Sequence, residues 1–164
     1  MISVVGIGNA ASKLVEKFTP IKNYKVYQLN DKVERSTKYK RKLKSFENPE
    51  EYENNIPKLD KFFSDISDRV QVFVVGSSMS SNYSLGILEQ LKDKEVEVFY
   101  VKPDGDLLTG IPKLVDKVVF SVLQEYARSG LLKSLTVFSN QLLEDHLGSV
   151  PIKKYYDTLN ESIF

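Results

Sequence analysis

Apolar residues recur along this chain with two periods, and the two alternate. Short β-branched runs at 2–5, 24–29, 70–75, 95–101 and 134–139 read as strands. Spacings of three and four residues mark helices between them. Leu14, Val15 and Phe18 share one side of 10–18, and Pro20 stops that helix. Asn48-Pro49-Glu50-Glu51 begins another, with a cap, a first-turn proline and acidic residues. Leu59, Phe62, Phe63 and Ile66 predict a helix over 57–66, and a further one follows at 84–92. Leu114, Val115, Val118, Val119, Val122, Leu123 and Tyr126 predict a long helix over 112–128, which Gly130 ends. Short helices are expected at 141–146 and 152–163, where Tyr155 and Tyr156 help close the core. In 24–29 the alternation leaves Lys25 and Gln28 near edges or ends, so this strand is expected to be less buried.

Strands and helices in alternation predict an α/β fold, a Rossmann-like parallel sheet with helices on both faces. No repeat, low-complexity stretch or Pro/Gly-rich linker divides the chain, so 1–164 reads as a single domain. Ligands of such sheets sit outside the carboxyl ends of the strands.

Composition narrows the chemistry. The formal charge is +1, which argues against nucleic acid as a partner. The basic run 38–44, in the irregular region 31–48, fits a solvated loop or helix face more readily than a docking site. There are no cysteines and one histidine, His146, so thiolate and histidine-rich metal sites are excluded. No apolar run is long enough to span a bilayer, and the start lacks the pattern of a signal peptide. A cytoplasmic location is the expectation. No Ser-His-Asp arrangement or acid/base pair stands out.

Two loops carry the candidate chemistry. Gly6-Ile7-Gly8-Asn9-Ala10-Ala11-Ser12 and Gly76-Ser77-Ser78-Met79-Ser80-Ser81-Asn82-Tyr83-Ser84-Leu85-Gly86 each join a strand to a helix. Small residues there let backbone N–H groups cradle a phosphate. Gly6, Gly8, Asn9 and Ala10 fit that role and a plain strand-to-helix turn equally. Ser80, Ser81, Asn82, Tyr83, Ser84 and Gly86 fit either a modified cradle or a serine-rich helix cap without ligand, the commoner arrangement. The Tyr83 ring needs space over the ligand or away from it. Asn140 and Asn160 each offer a donor and an acceptor to a purine, or a strand-end turn and a solvated helix face. Asp104 and Asp106, after Pro103, suit a turn, or approach to a ribose or hydrated Mg²⁺.

The order of these landmarks resembles the GTP-binding domain of the tubulin/FtsZ superfamily. Val4-Val5-Gly6-Ile7-Gly8-Asn9-Ala10-Ala11-Ser12 is similar to the FtsZ opening. Leu29-Asn30-Asp31 falls at the family's turn after its second strand, and Met79 with 80–86 falls at its glycine-rich signature. Val101-Lys102-Pro103 resembles the Thr-Lys-Pro that ends the next strand. Leu135-Thr136-Val137-Phe138-Ser139-Asn140 resembles the strand whose closing asparagine contacts guanine, and Asn160 falls at a second guanine contact.

The resemblance implies GTP or GDP as ligand, with Mg²⁺ held through the phosphates. It also implies a role in filament assembly or its regulation, through self-assembly or a tubulin/FtsZ-like partner. The site it implies comprises Gly6, Gly8, Asn9, Ala10, Asn30, Ser80, Ser81, Asn82, Tyr83, Ser84, Gly86, Pro103, Asp104, Asn140 and Asn160. Two departures stand against this. The signature keeps one glycine, Gly86, where the family has five. The acidic loop that completes the family's GTPase site has no candidate in these residues, which leaves hydrolysis by this chain alone without its acidic group. A degenerate member that serves as a protein-interaction module is the alternative. A Rossmann-like enzyme with a dinucleotide cofactor is a third reading, weakened because only Asp31 offers an acid near the second strand.

Overall fold

The computed structural model describes residues 1–31, 36–76, 79–103 and 109–139. In chain order its elements are β1 (Ile2–Ile7), α1 (Asn9–Val15) with a 3₁₀ turn (Glu16–Phe18), β2 (Tyr24–Asn30) and β3 (Lys40–Lys42). Then come α2 (Pro49–Asn54), β4 (Arg69–Val75), a 3₁₀ turn (Met79–Tyr83) and α3 (Ser84–Gln90). The last are β5 (Glu95–Lys102), α4 (Gly110–Arg128) and β6 (Ser134–Ser139). The strands form one sheet in the order β3-β2-β1-β4-β5-β6, and every pairing is parallel.

Parallel strands need crossovers, and these cover both faces. Val4 looks to one side of the sheet and Val5 to the other, and both are fully buried. On the Val4 side lie Ala11, Leu14 and Val15 of α1 with Phe73 and Val101. Phe73, Phe99 and Phe138 stack in a row across β4, β5 and β6 on that side, with ring centroids 4.9 and 6.2 Å apart. On the Val5 side the core joins Tyr27, Leu29, Val72, Val98 and Tyr100 to Tyr52 of α2, Ile87 and Leu88 of α3, and Val115, Val119 and Leu123 of α4. Burying each such aliphatic side chain contributes about 1.5–3 kcal/mol.

The α/β class, the parallel sheet and the helices on both faces match the sequence reading. Four details differ. Residues 57–66 form turns, not a helix. The Leu59 N–H donates to Gln90 Oε1 at 2.9 Å, and Gln90 Nε2 donates to the Pro57 carbonyl at 2.9 Å. A side chain from α3 thus replaces bonds that a helix would make with itself. Leu59 and Phe63 still reach the core.

The basic run holds an edge strand, β3, paired through its backbone to β2 from Gln28 to Asn30. That pairing makes β2 an inner strand, so Gln28 is buried, contrary to the expectation for 24–29. In α4, Leu114 and Val118 are exposed, because the buried arc is centred on Val115, Val119 and Leu123. Asn140, Asn160 and His146, the expected helices at 141–146 and 152–163, and Asp104 and Asp106 lie outside the described residues.

Candidate functional site

The strand order reverses between β1 and β4. The chain leaves β1 toward β2 on one side, and runs from β4 toward β5 and β6 on the other. At such a switch point the flanking loops diverge and leave a crevice at the carboxyl ends. Ile7 pairs with Val74, so the turns that follow β1 and β4 adjoin at one rim.

The first turn is built on Gly8, at φ 94° and ψ 171°. That region is nearly closed to residues with a Cβ. The Gly8 N–H donates to the Leu29 carbonyl at 2.7 Å, and the Gly8 carbonyl accepts the Ser12 N–H at 2.9 Å. This fixes the end of β1 to β2 and starts α1. Asn30 closes the same corner, since its Nδ2 donates to Asn9 Oδ1 at 3.1 Å. Gly8, Asn9 and Asn30 are therefore brought together, with Ala10 exposed beside them. Gly6 sits one turn lower. A Cβ on it would lie 2.7 Å from Val15 Cγ2 and 2.8 Å from the Ala11 carbonyl, so its place is the close seating of α1 on β1.

The described part of the second turn, from Met79 on, is tightly folded. Met79–Tyr83 winds as a 3₁₀ turn straight into α3, and Ser80, Ser81, Asn82, Tyr83 and Ser84 are all buried. Asn82 Nδ2 caps the turn on the Met79 carbonyl at 2.9 Å. Tyr83 points away from the rim. Its ring meets Tyr52 edge-on at 4.8 Å, and its hydroxyl donates to the Lys44 carbonyl at 2.6 Å. Gly86 packs against Ile56, which a Cβ would meet at 2.6 Å. Two hydroxyls, Ser12 Oγ in α1 and Ser84 Oγ at the start of α3, are buried without a hydrogen-bond partner among the described residues. Such orphaned groups are costly, and each lies in the first turn of a helix that begins at this rim.

Burial raises the Tyr83 hydroxyl to about 12, with the charges of Tyr52 and Asp31 adding to it. The unfolded phenol ionises near its ordinary value of about 10. The stability tied to the neutral phenol is thus complete below pH ~10 and falls as pH rises through ~12, by up to about 1.4 kcal/mol per pH unit. Tyr27 and Tyr100 are also raised, mainly by burial. Urea unfolding between neutral and alkaline pH should show this decline, and Tyr83→Phe should make it shallower. A variant with the same slope as the parent would show that Tyr83 does not titrate this way.

Below Pro103, at the carboxyl end of β5, lies a cluster that the sequence reading did not single out. The Tyr100 hydroxyl donates to Asp116 Oδ1, and Lys102 Nζ donates to Asp116 Oδ2 at 3.1 Å. Lys102 also lies 4.5 Å from the Phe120 ring centroid. Asp116 is buried on the inner arc of α4. A carboxylate on an otherwise apolar helix face was the available signal.

No family model matches the chain, and no curated protein matches it in sequence. Among solved structures, the FtsZ dimer of M. jannaschii superposes with a TM-score of 0.75 over 98% of this chain, at 16% identity. The chain has a tubulin/FtsZ-like fold. It spans about half of the FtsZ chain it matches, 51%. Aldohexose dehydrogenase of Thermoplasma acidophilum is more distant. Its C-terminal deletion mutant gives a TM-score of 0.43 at 15% identity, covering 94% of this chain and 76% of that one. Its ligand-free form gives 0.47 at 15% identity, covering 95% and 76%.

Proposed function

We propose that this chain is a guanine-nucleotide-binding domain of the tubulin/FtsZ type, acting in filament assembly or its regulation. The observation that carries this reading is the convergence of two strand-to-helix turns on the switch point of a sheet whose FtsZ-like fold runs through nearly the whole chain. The donor set fits an anionic ligand. Gly8 leaves the backbone bare, and the orphaned hydroxyls of Ser12 and Ser84 belong to the two helices that start there. Gly8, Asn9, Ala10 and 80–84 would hold the phosphates, with Asn30 supporting the first turn and Pro103 and Asp104 near the ribose. Gly6 and Gly86 would act by letting the helices pack closely, and Asn140 and Asn160 would read the base. Mg²⁺ would enter with the phosphates. The FtsZ structure is a dimer, and association with a second copy or a related filament protein is part of this proposal.

A second reading has its own observation. Ser80–Ser84 are buried and Tyr83 belongs to the core, which leaves these side chains little access to a ligand. The same fold would then serve as a protein-interaction module. Titration with labelled GTP, GDP and ATP, with and without Mg²⁺, separates the two. Micromolar, guanine-selective binding that weakens in Asn30→Ala is expected. No binding of any nucleotide would reject the first reading and leave the second.

A further inference from the structure

The face of the sheet that carries α1 is covered unevenly. α1 packs on β1, β2 and β4, and β3 lies beyond it. Beside the end of the first 3₁₀ turn a cavity of about 420 Å³ opens, lined by Thr19, Tyr24, Val26, Gln28 and Lys40 among others. Tyr24, Val26 and Gln28 are alternate residues of β2 and share a face. The Tyr24 ring packs 5.1 Å from Phe18, which places that face on the α1 side. Lys40 pairs in register with Gln28 and faces the same way. The cavity runs along β2 from Tyr24, six residues and about 20 Å of strand before Asn30, to Gln28, two residues and about 7 Å before it, so it lies beside the rim where nucleotide is proposed to bind and does not include it.

The lining has a definite chemistry. Tyr24 and Val26 give a flat apolar floor. Gln28 is 8% exposed and lines the cavity, and its amide is not among the buried groups left without a partner. An amide at a cavity wall offers a ligand both a donor and an acceptor. Among the described residues two cations line the cavity and no carboxylate does. Lys25 is committed elsewhere, its ammonium 2.9 Å from the Asp65 carbonyl and 3.8 Å from the Asp65 carboxylate. Lys40 is exposed and pairs with no carboxylate among the described residues. The volume lies in the range of small-molecule pockets, roughly 300–1,000 Å³.

We propose that this cavity binds a small planar aromatic carboxylate. The ring lies on the Tyr24–Val26 floor, the carboxylate meets the Lys40 ammonium, and the Gln28 amide bonds a ring nitrogen or hydroxyl. The test is an amide-resolved NMR titration of the whole chain with nicotinate, salicylate and benzoate, and with nicotinamide as a neutral isostere. At least one carboxylate should give saturable shifts at Val26, Gln28 and Lys40. Nicotinamide should bind more weakly by about tenfold, the loss of one charge-assisted contact. Lys40→Met, a change at an exposed edge that leaves the core alone, should weaken the carboxylate by a similar factor, and Gln28→Leu should weaken nicotinate and nicotinamide alike. The shifts should persist with GTP present, so this result is independent of the nucleotide proposal. Absence of binding by all three carboxylates at millimolar concentration, shifts away from the cavity, or affinity unchanged in Lys40→Met would each overturn it.

Discussion

Replacing Gly76 with alanine should lower the unfolding free energy by about 3 kcal/mol or more. Gly76 follows β4, and its N–H donates to the Val101 carbonyl at 2.8 Å. A Cβ there would lie against the Tyr100 hydroxyl, and 2.7 Å from both Asp116 Oδ1 and Pro103 Cδ. None of the three can retreat easily. Tyr100 is fully buried, Pro103 is a ring fixed in the backbone, and Asp116 is held by Tyr100 and Lys102. The added methylene therefore either distorts the end of β4 or separates a buried carboxylate from its donors. Overpacking alone costs about 1–3 kcal/mol, and breaking a buried charged network costs about 3–5 kcal/mol. Urea denaturation of the variant measures the loss. Asp116→Ala should also destabilise, and the two changes should be strongly non-additive because they act on one network. A Gly76→Ala protein within about 0.5 kcal/mol of the parent would contradict this account of the cluster.

Gly8→Ala should cost about 1–3 kcal/mol, through backbone strain and not through crowding. At φ 94° and ψ 171° an alanine must either stay strained or rotate the peptide that links β1 to α1. Rotation would disturb the Gly8 N–H bond to Leu29 and the bond that starts α1 at Ser12. The same movement displaces Asn9 from Asn30. Two measurements follow from one substitution: a lower denaturation midpoint, and nucleotide affinity reduced by about tenfold or more if the rim binds phosphate. The stability loss tests the turn by itself. Unchanged stability would show that the turn tolerates a side chain, and unchanged affinity in a protein that binds GTP would remove this turn from the site.

The sequence made the regular elements legible where a single period ran long enough. The inner strands are β-branched and buried on both faces, and α4 repeats its apolar positions over nineteen residues. β3 was hidden because only its backbone pairs, and a lysine-rich edge gives no apolar signal. Residues 57–66 misled because the spacing of Leu59, Phe62 and Phe63 suits a helix, while Gln90, from a distant segment, takes over the hydrogen bonds. The Tyr100–Asp116–Lys102 cluster depends on pairing between β5 and α4, which local patterns do not encode. Tyr83 had two open orientations from sequence, and the Lys44 carbonyl and the Tyr52 ring select the inward one.

That inward orientation ties two properties to one side chain. With 1% of its surface accessible, the Tyr83 ring is an interior wall as well as the residue that departs furthest from a glycine-rich loop. Rebuilding the loop with glycines would hollow out the core beside Tyr52 before it widened any entrance. A redesign for tighter ligand capture would therefore have to refill that hollow from a neighbouring element.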